Sequence, residues 1–173
     1  MADSNPKWYV FYCRSRSEKK VLEMLTREGY SVCLPLVKEL RQWSDRKKKV
    51  IVPLIPGYAF IYCKLHEIYS ITLLPNIVTV VRIGKEYAIL RQEEIDLLNK
   101  IIENDISAST QPISVKKGEK VRVINGVLTG QVGVCYYDSE NKYITIAIES
   151  IGKELKIKIL SEDVEVIKET TMV

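Results

Sequence analysis

Of the side chains that could carry catalysis, the 173-residue chain holds a single histidine, His66. A Ser-His-Asp or Cys-His mechanism would rest on that one imidazole, with no evident partner beside it. The four cysteines, Cys13, Cys33, Cys63 and Cys135, form no Cys-x-x-Cys pair. Each lies in or beside an apolar run, which is where buried free thiols are found. Neither a Gly-x-x-x-x-Gly-Lys nor a Gly-x-Gly-x-x-Gly phosphate loop occurs. These absences predict a chain that is not an enzyme and that carries no metal and no cofactor.

The chemistry that the residues do offer is binding. Net charge is +4, but Lys7 to Lys49 holds 12 lysines and arginines against 5 acidic residues, so the remainder is net acidic. A basic footprint confined to one segment suits a polyanion bound at one face, although charge runs also serve simply as solvated surface. Arg14 and Arg16 fall where a strand gives way to a helix, near the positive end of the helix dipole, and Lys19 and Lys20 extend that face by a turn. The stretch Arg41-Gln42-Trp43-Ser44-Asp45-Arg46-Lys47-Lys48-Lys49 is too polar for a core strand and suits a projecting hairpin tip. Trp43, stranded there beside Arg46 and Lys47, could stack on an unpaired base.

A second binding element runs from Val50 to Cys63. Pro53 and Pro56 cannot donate to a sheet ladder, and Gly57 relaxes the backbone, so the expectation is a kinked strand that holds rings at a surface. Ile55, Tyr58 and Phe60, beside Trp8 or Tyr9, could line an apolar groove for an amphipathic helix. The competing reading is that these rings are core, and exposure decides between them.

The elements that must position these groups follow from periodicity. Trp8 to Cys13 reads as a strand. A helix follows, with Ser15 and Glu18 as a capping box, Val21, Leu22 and Leu25 as its apolar stripe, and Gly29 as its C-terminal cap. Tyr30 to Leu40, interrupted by Pro35, and Val50 to Cys63 read as strands. A short helix from about His66 to Leu74 leads to a buried strand over Asn76 to Ile83. Tyr87 to Leu90 and a helix over Gln92 to Glu103 close this part. Ser107-Ala108-Ser109-Thr110-Gln111-Pro112 is a linker by composition. Beyond it, period-two alternation at Val121/Val123, Val132/Val134, Ile144/Ile146/Ile148, Leu155/Ile157/Ile159 and Val164/Val166 suits a small barrel. No apolar run reaches the roughly 20 residues that cross a bilayer, and the N-terminus lacks a signal pattern, so a cytoplasmic protein is expected.

These pieces, taken in order, resemble the NusG family of transcription elongation factors. The resemblance rests on Trp8-Tyr9-Val10, on Pro56-Gly57-Tyr58, and on a KOW signature in Lys117-Gly118-Glu119-Lys120-Val121-Arg122-Val123, Gly126 and Gln131-Val132-Gly133-Val134. The Arg14 to Lys20 start and the Arg41 to Lys48 tip are similar to a specialised branch, the UpxY-type antiterminators of Bacteroides-like bacteria. The resemblance implies an α+β protein. It places a NusG-type α/β domain, mostly antiparallel sheet with flanking helices, at 1–106, a flexible linker at 107–114, and a small SH3-like KOW β-barrel at 115–173.

It also implies a monomer that binds RNA polymerase and suppresses pausing or termination on surface-polysaccharide operons, with no membrane association. Trp8, Tyr9, Ile55, Pro56, Gly57, Tyr58 and Phe60 would then face the clamp helices of the polymerase β′ subunit. Arg14, Arg16, Lys19, Lys20, Trp43, Arg46 and Lys47 would face the non-template DNA strand, with nascent RNA as a further candidate. Family barrels dock the termination factor Rho or a small-subunit ribosomal protein through bulky apolar loop tips. The matching positions, Leu128, Gln131 and Ile151, lack aromatics and include one polar residue, which predicts weak or no Rho binding. A KOW-type RNA-binding or ribosome-associated protein is the alternative.

Overall fold

A computed structural model describes residues 5–113 and 118–167. Residues 1–4, Ser114 at the end of the expected linker, Lys117 of the KOW signature and residues 168–173 lie outside them. The fold is mixed α/β, with three α-helices and antiparallel sheets among the described residues. Two compact units divide between Asn99 and Lys100.

In chain order the first unit contains β1 (Lys7–Cys13), α1 (Glu18–Arg27), β2 (Ser31–Cys33), β3 (Leu36–Gln42), β4 (Lys47–Pro53), β5 (Tyr58–Cys63), α2 (Ile68–Thr72), β6 (Ile77–Val80), β7 (Arg82–Ile83), β8 (Glu86–Tyr87) and β9 (Ile89–Leu90). Helix α3 (Gln92–Glu103) runs through the division. The main sheet has the order β2-β5-β1-β6, with β9 also paired to β1. Strand alternation gives this sheet two faces. On one, Tyr9, Phe11 and Cys13 of β1 and Ala59, Ile61 and Cys63 of β5 form a core with Val21 and Leu25 of α1 and Ile68 and Ile71 of α2. The other presents the cross-strand pairs Trp8/Tyr62, Val10/Phe60 and Tyr12/Tyr58. The middle pair is fully buried. Helix α3 is tied to this face at two points: the Trp8 indole donates to Gln92 Oε1 at 3.3 Å, and the Cys33 thiol to Asn99 Oδ1 at 3.8 Å.

Helix α1 departs from expectation at its start and meets it at its end. Ser17, not Ser15, is the N-cap and makes no side-chain cap hydrogen bond. Glu18 is buried, and its carboxylate accepts the Gly57 N–H at 2.9 Å, so it braces a turn across the sheet in place of closing a capping box. At the other end Gly29 adopts φ +88°, and the Gly29 and Tyr30 N–H groups bond to the carbonyls of Thr26 and Leu25. That is the paired pattern of a Schellman cap.

The expected strand over Val50 to Cys63 is two strands. Between β4 and β5, Ile55-Pro56-Gly57-Tyr58 closes a turn with the Tyr58 N–H on the Ile55 carbonyl at 3.3 Å and Gly57 at φ +81°. Proline second and a positive-φ glycine third are the requirements of a type II turn. Likewise Tyr30 to Leu40 splits into β2 and β3 around Leu34-Pro35, and β3 pairs with β4 as a separate hairpin. Val78, read as part of a buried strand, lies exposed on β6.

The second unit is one six-stranded antiparallel sheet, built from β10 (Ala108–Pro112), β11 (Glu119–Val123), β12 (Val132–Asp138), β13 (Asn141–Ile148), β14 (Lys153–Lys158) and β15 (Val164–Val166). Its order is β10-β14-β13-β12-β11-β15. Val121, Val123, Ile144, Ile146, Ile148, Leu155 and Ile157 supply the inward positions. Strand β10 corrects the linker expectation, since residues 108–112 pair with β14 in register from Ala108↔Ile157 to Pro112↔Lys153. Small polar residues and a terminal proline look like a linker by composition, yet an edge strand tolerates both because only one side of its backbone must pair. Gln111 adds a side-chain hydrogen bond to the buried Glu154.

Candidate functional site

Pairs of aromatic rings stand at the two ends of the α3-facing side of the main sheet. At the end where β1 finishes, Tyr12 and Tyr58 meet edge to face with ring centroids 5.8 Å apart, and Tyr12 is 43% exposed. At the opposite end Trp8 packs against Tyr62 at 5.2 Å. Cross-strand registry sets both contacts, because Trp8 and Tyr12 lie on one face of β1 and face Tyr62 and Tyr58 on β5.

The sequence-predicted groove is therefore only partly assembled. Tyr58 is half-buried and Pro56 exposed. Phe60 and Ile55 are fully buried core residues, and Tyr9 is buried on the opposite face with its ring edge-on to Tyr87. Those three cannot touch a partner without unfolding. Trp8 is on the correct face but belongs to the other pair. Tyr12 and Tyr62 were missed, although Trp8-x-x-x-Tyr12 and Tyr58-x-x-x-Tyr62 on two strands already place them on one face.

The Tyr12/Tyr58 end is braced from beneath. The Cys13 N–H donates to the Gly57 carbonyl at 2.8 Å, while the Gly57 N–H meets Glu18. A Cβ on Gly57 would come within 2.8 Å of Tyr12 Cε2, so the turn backbone and the Tyr12 ring are in close contact. Directly after this end of β1 comes the Arg14–Ser17 loop. The Arg14 N–H donates to the Asn76 carbonyl at 2.9 Å, and Arg16 occupies the left-handed region at φ +63°. Arg14, Arg16 and Lys20 are exposed. The Glu18 carboxylate in the first turn already occupies the positive end of α1, so the two arginines act through their own charge more than through the helix dipole.

Lys19 is engaged differently. Its ammonium donates to the Ile51 carbonyl at 2.9 Å and straps α1 to the β3–β4 hairpin. At the hairpin tip the Trp43 N–H bonds to the Arg46 carbonyl at 2.8 Å, and the indole is 57% exposed, with Arg46 and Lys47 also exposed.

Burial pushes the Cys13, Cys33 and Cys63 thiols up to about 12, with Glu18 adding to the shift at Cys13 and Glu67 at Cys63. They stay protonated and are poor nucleophiles at neutral pH. Among the described residues no group of three His, Cys, Asp or Glu side chains is placed to hold a metal ion, and no helix is long and apolar enough to cross a membrane.

The family model described as transcription termination factor nusG matches residues 6–99. The chain belongs to the NusG family. Its members are transcription factors, and the matched segment contains the whole Tyr12/Tyr58 end, the arginine loop and the hairpin. A solved structure of domain interaction in Thermotoga maritima NusG is similar at 21% identity, with a TM-score of 0.58, over 95% of this chain and 98% of that one. At that identity the likeness carries the fold. A structure of the MjSpt4:Spt5 complex aligns at 15% identity and a TM-score of 0.30, over 94% of this chain and 97% of that one.

In the second unit of this NusG-family chain, the expected loop-tip residues are less available than the sequence implied. Leu128 is buried, and Gln131 and Ile151 are half-buried. Leu128 lines a surface pocket together with Val123, Ile157 and Ile159, while its neighbour Val127 is exposed.

Proposed function

We propose that this NusG-family protein is a UpxY-type antiterminator that binds RNA polymerase and suppresses pausing or termination on surface-polysaccharide operons. The observation that carries the polymerase part is the Tyr12/Tyr58 pair. Two large amphipathic rings are held at the surface by a turn whose backbone is bonded on both sides, adjacent to an exposed arginine loop. Rigid surface aromatics of this kind are the usual anchors of protein interfaces. The β′ clamp helices would lie against Tyr12, Pro56 and Tyr58. Arg14, Arg16, Lys20 and the Trp43 tip would face the non-template strand.

The second unit is read as a KOW domain. Gly133 of the signature supports this, because a Cβ there would run into the Thr145 carbonyl on β13, so the glycine is what lets β12 and β13 approach. Buried Leu128 and polar Gln131 leave little apolar area at the loop tips, which supports weak or no Rho binding.

The test is capture of purified RNA polymerase by the full chain and by Tyr12→Ala and Tyr58→Ala variants. Both variants are expected to keep the native amide spectrum and lose binding. A folded Tyr58→Ala protein that binds polymerase normally rejects the assignment.

A further inference from the structure

The β3–β4 hairpin is a two-stranded ribbon with chemically different faces. Registry places Leu36/Pro53, Lys38/Ile51, Leu40/Lys49 and Gln42/Lys47 on one face, and Val37/Val52, Glu39/Val50 and Arg41/Lys48 on the other, with Trp43 and Arg46 following at the tip. The second face carries Lys48 and Arg41, whose guanidinium is ion-paired with Glu39 at 3.2 Å, and the tip beyond it adds the Trp43 indole and Arg46, the chemistry that stacks on bases and pairs with phosphates. The first has no aromatic ring. On it Leu40 is 59% exposed and Ile51 53% exposed, diagonal neighbours across the strands. Its ionisable residues are the lysines Lys38, Lys47 and Lys49, with no carboxylate at any of its eight positions.

Two aliphatic side chains at open positions are unexplained by nucleic-acid binding, since they have no π-face for a base and gain nothing against a phosphate backbone. They do match a segment that offers its own aliphatic residues flanked by carboxylates. An acidic amphipathic helix presents that combination at successive turns.

We propose that this lysine-rimmed aliphatic face docks an acidic amphipathic segment of RNA polymerase, as a second contact beyond the Tyr12/Tyr58 pair. The inference rests on the polymerase reading above. Ribbon and main sheet belong to one unit, so two modest contacts on one enzyme would reinforce each other through effective concentration. Lys19, which straps Ile51 to α1, holds the ribbon in place for this.

The test uses the full chain, purified RNA polymerase and a single-stranded DNA oligonucleotide. The Leu40→Thr/Ile51→Thr double variant keeps strand-forming residues, and it is expected to weaken polymerase binding roughly tenfold or more while leaving DNA binding unchanged. Lys49→Gln should weaken polymerase binding at low salt, and the deficit should shrink as salt rises. Should the double variant fail to fold, Lys49→Gln decides by that salt profile, and a profile equal to the parent protein's overturns the proposal. A double variant that binds polymerase normally, while Tyr58→Ala does not, overturns this inference alone. A fall in DNA binding that matches the fall in polymerase binding gives the face to nucleic acid and also overturns it. A parent chain with no affinity for polymerase removes both this inference and the reading beneath it.

Discussion

Gly57 holds φ at +81° with the Tyr12 ring packed close to its α-carbon, so a side chain there would meet the ring. Gly57→Ala should cost about 1–2 kcal/mol from the left-handed backbone alone and must also displace the Tyr12 ring. The expected result is a modest drop in unfolding midpoint with a larger loss of polymerase affinity; unchanged affinity would show that Tyr12's position is immaterial. Glu18 acts on the same turn from within. Removing its carboxylate leaves the Gly57 N–H buried without its acceptor, a loss of about 1–3 kcal/mol for Glu18→Ala. Glu18→Gln keeps an acceptor and should be clearly milder in urea unfolding. Equal costs for the two variants would mean that packing, not the hydrogen bond, is what Glu18 supplies.

At the scale of elements, the loop after β1 and the hairpin are expected to read a nucleic-acid backbone by charge. Arg14→Gln, Arg16→Gln and Lys20→Gln together should weaken single-stranded DNA binding and flatten its salt dependence, each lost phosphate contact removing roughly 0.7 from the log–log slope. Lys19 is left in place because its ammonium supports β4, so changing it would mix charge with architecture. A slope equal to that of the parent protein would reduce the cluster to solvated surface. The buried thiols at Cys13 and Cys33 lie in the sheet that carries this loop and, pushed up to about 12, take no part in the charge balance at neutral pH.

For the whole molecule, the two large sheets are built from separate stretches of the chain. A chain ending at residue 107 retains every strand of the first unit and all of α3, and β10 begins only at Ala108. Residues 1–107 are therefore expected to keep most of the anti-pausing activity in a purified transcription assay. Adding Rho should change neither this truncation nor the full chain. Strong stimulation of Rho by the full chain would overturn the reading of the second unit, and loss of activity in the truncation would show that the first unit does not act alone.

What the sequence determined by itself was the local grammar. Aromatic and β-branched residues gave β1, period-two alternation gave the β11 to β15 strands, the Leu25 to Tyr30 segment gave a helix end capped at Gly29, and Gln92 to Glu103 was legible as a helix because its apolar residues recur at helical spacing. Burial was not legible, because whether a strand face is covered depends on elements far away in the chain. Phe60 and Tyr58 lie on one face of β5 two residues apart, yet the first is fully buried and the second only half-buried. Residues 108–112 likewise look like linker until β14 supplies their hydrogen-bond partners. Glu18 bonds Gly57 across 39 residues of sequence, a contact that no local capping rule could predict. Side-chain periodicity is set by the backbone within a few residues, whereas exposure and partner choice are set by which distant surfaces pack together, and only the tertiary structure decides that.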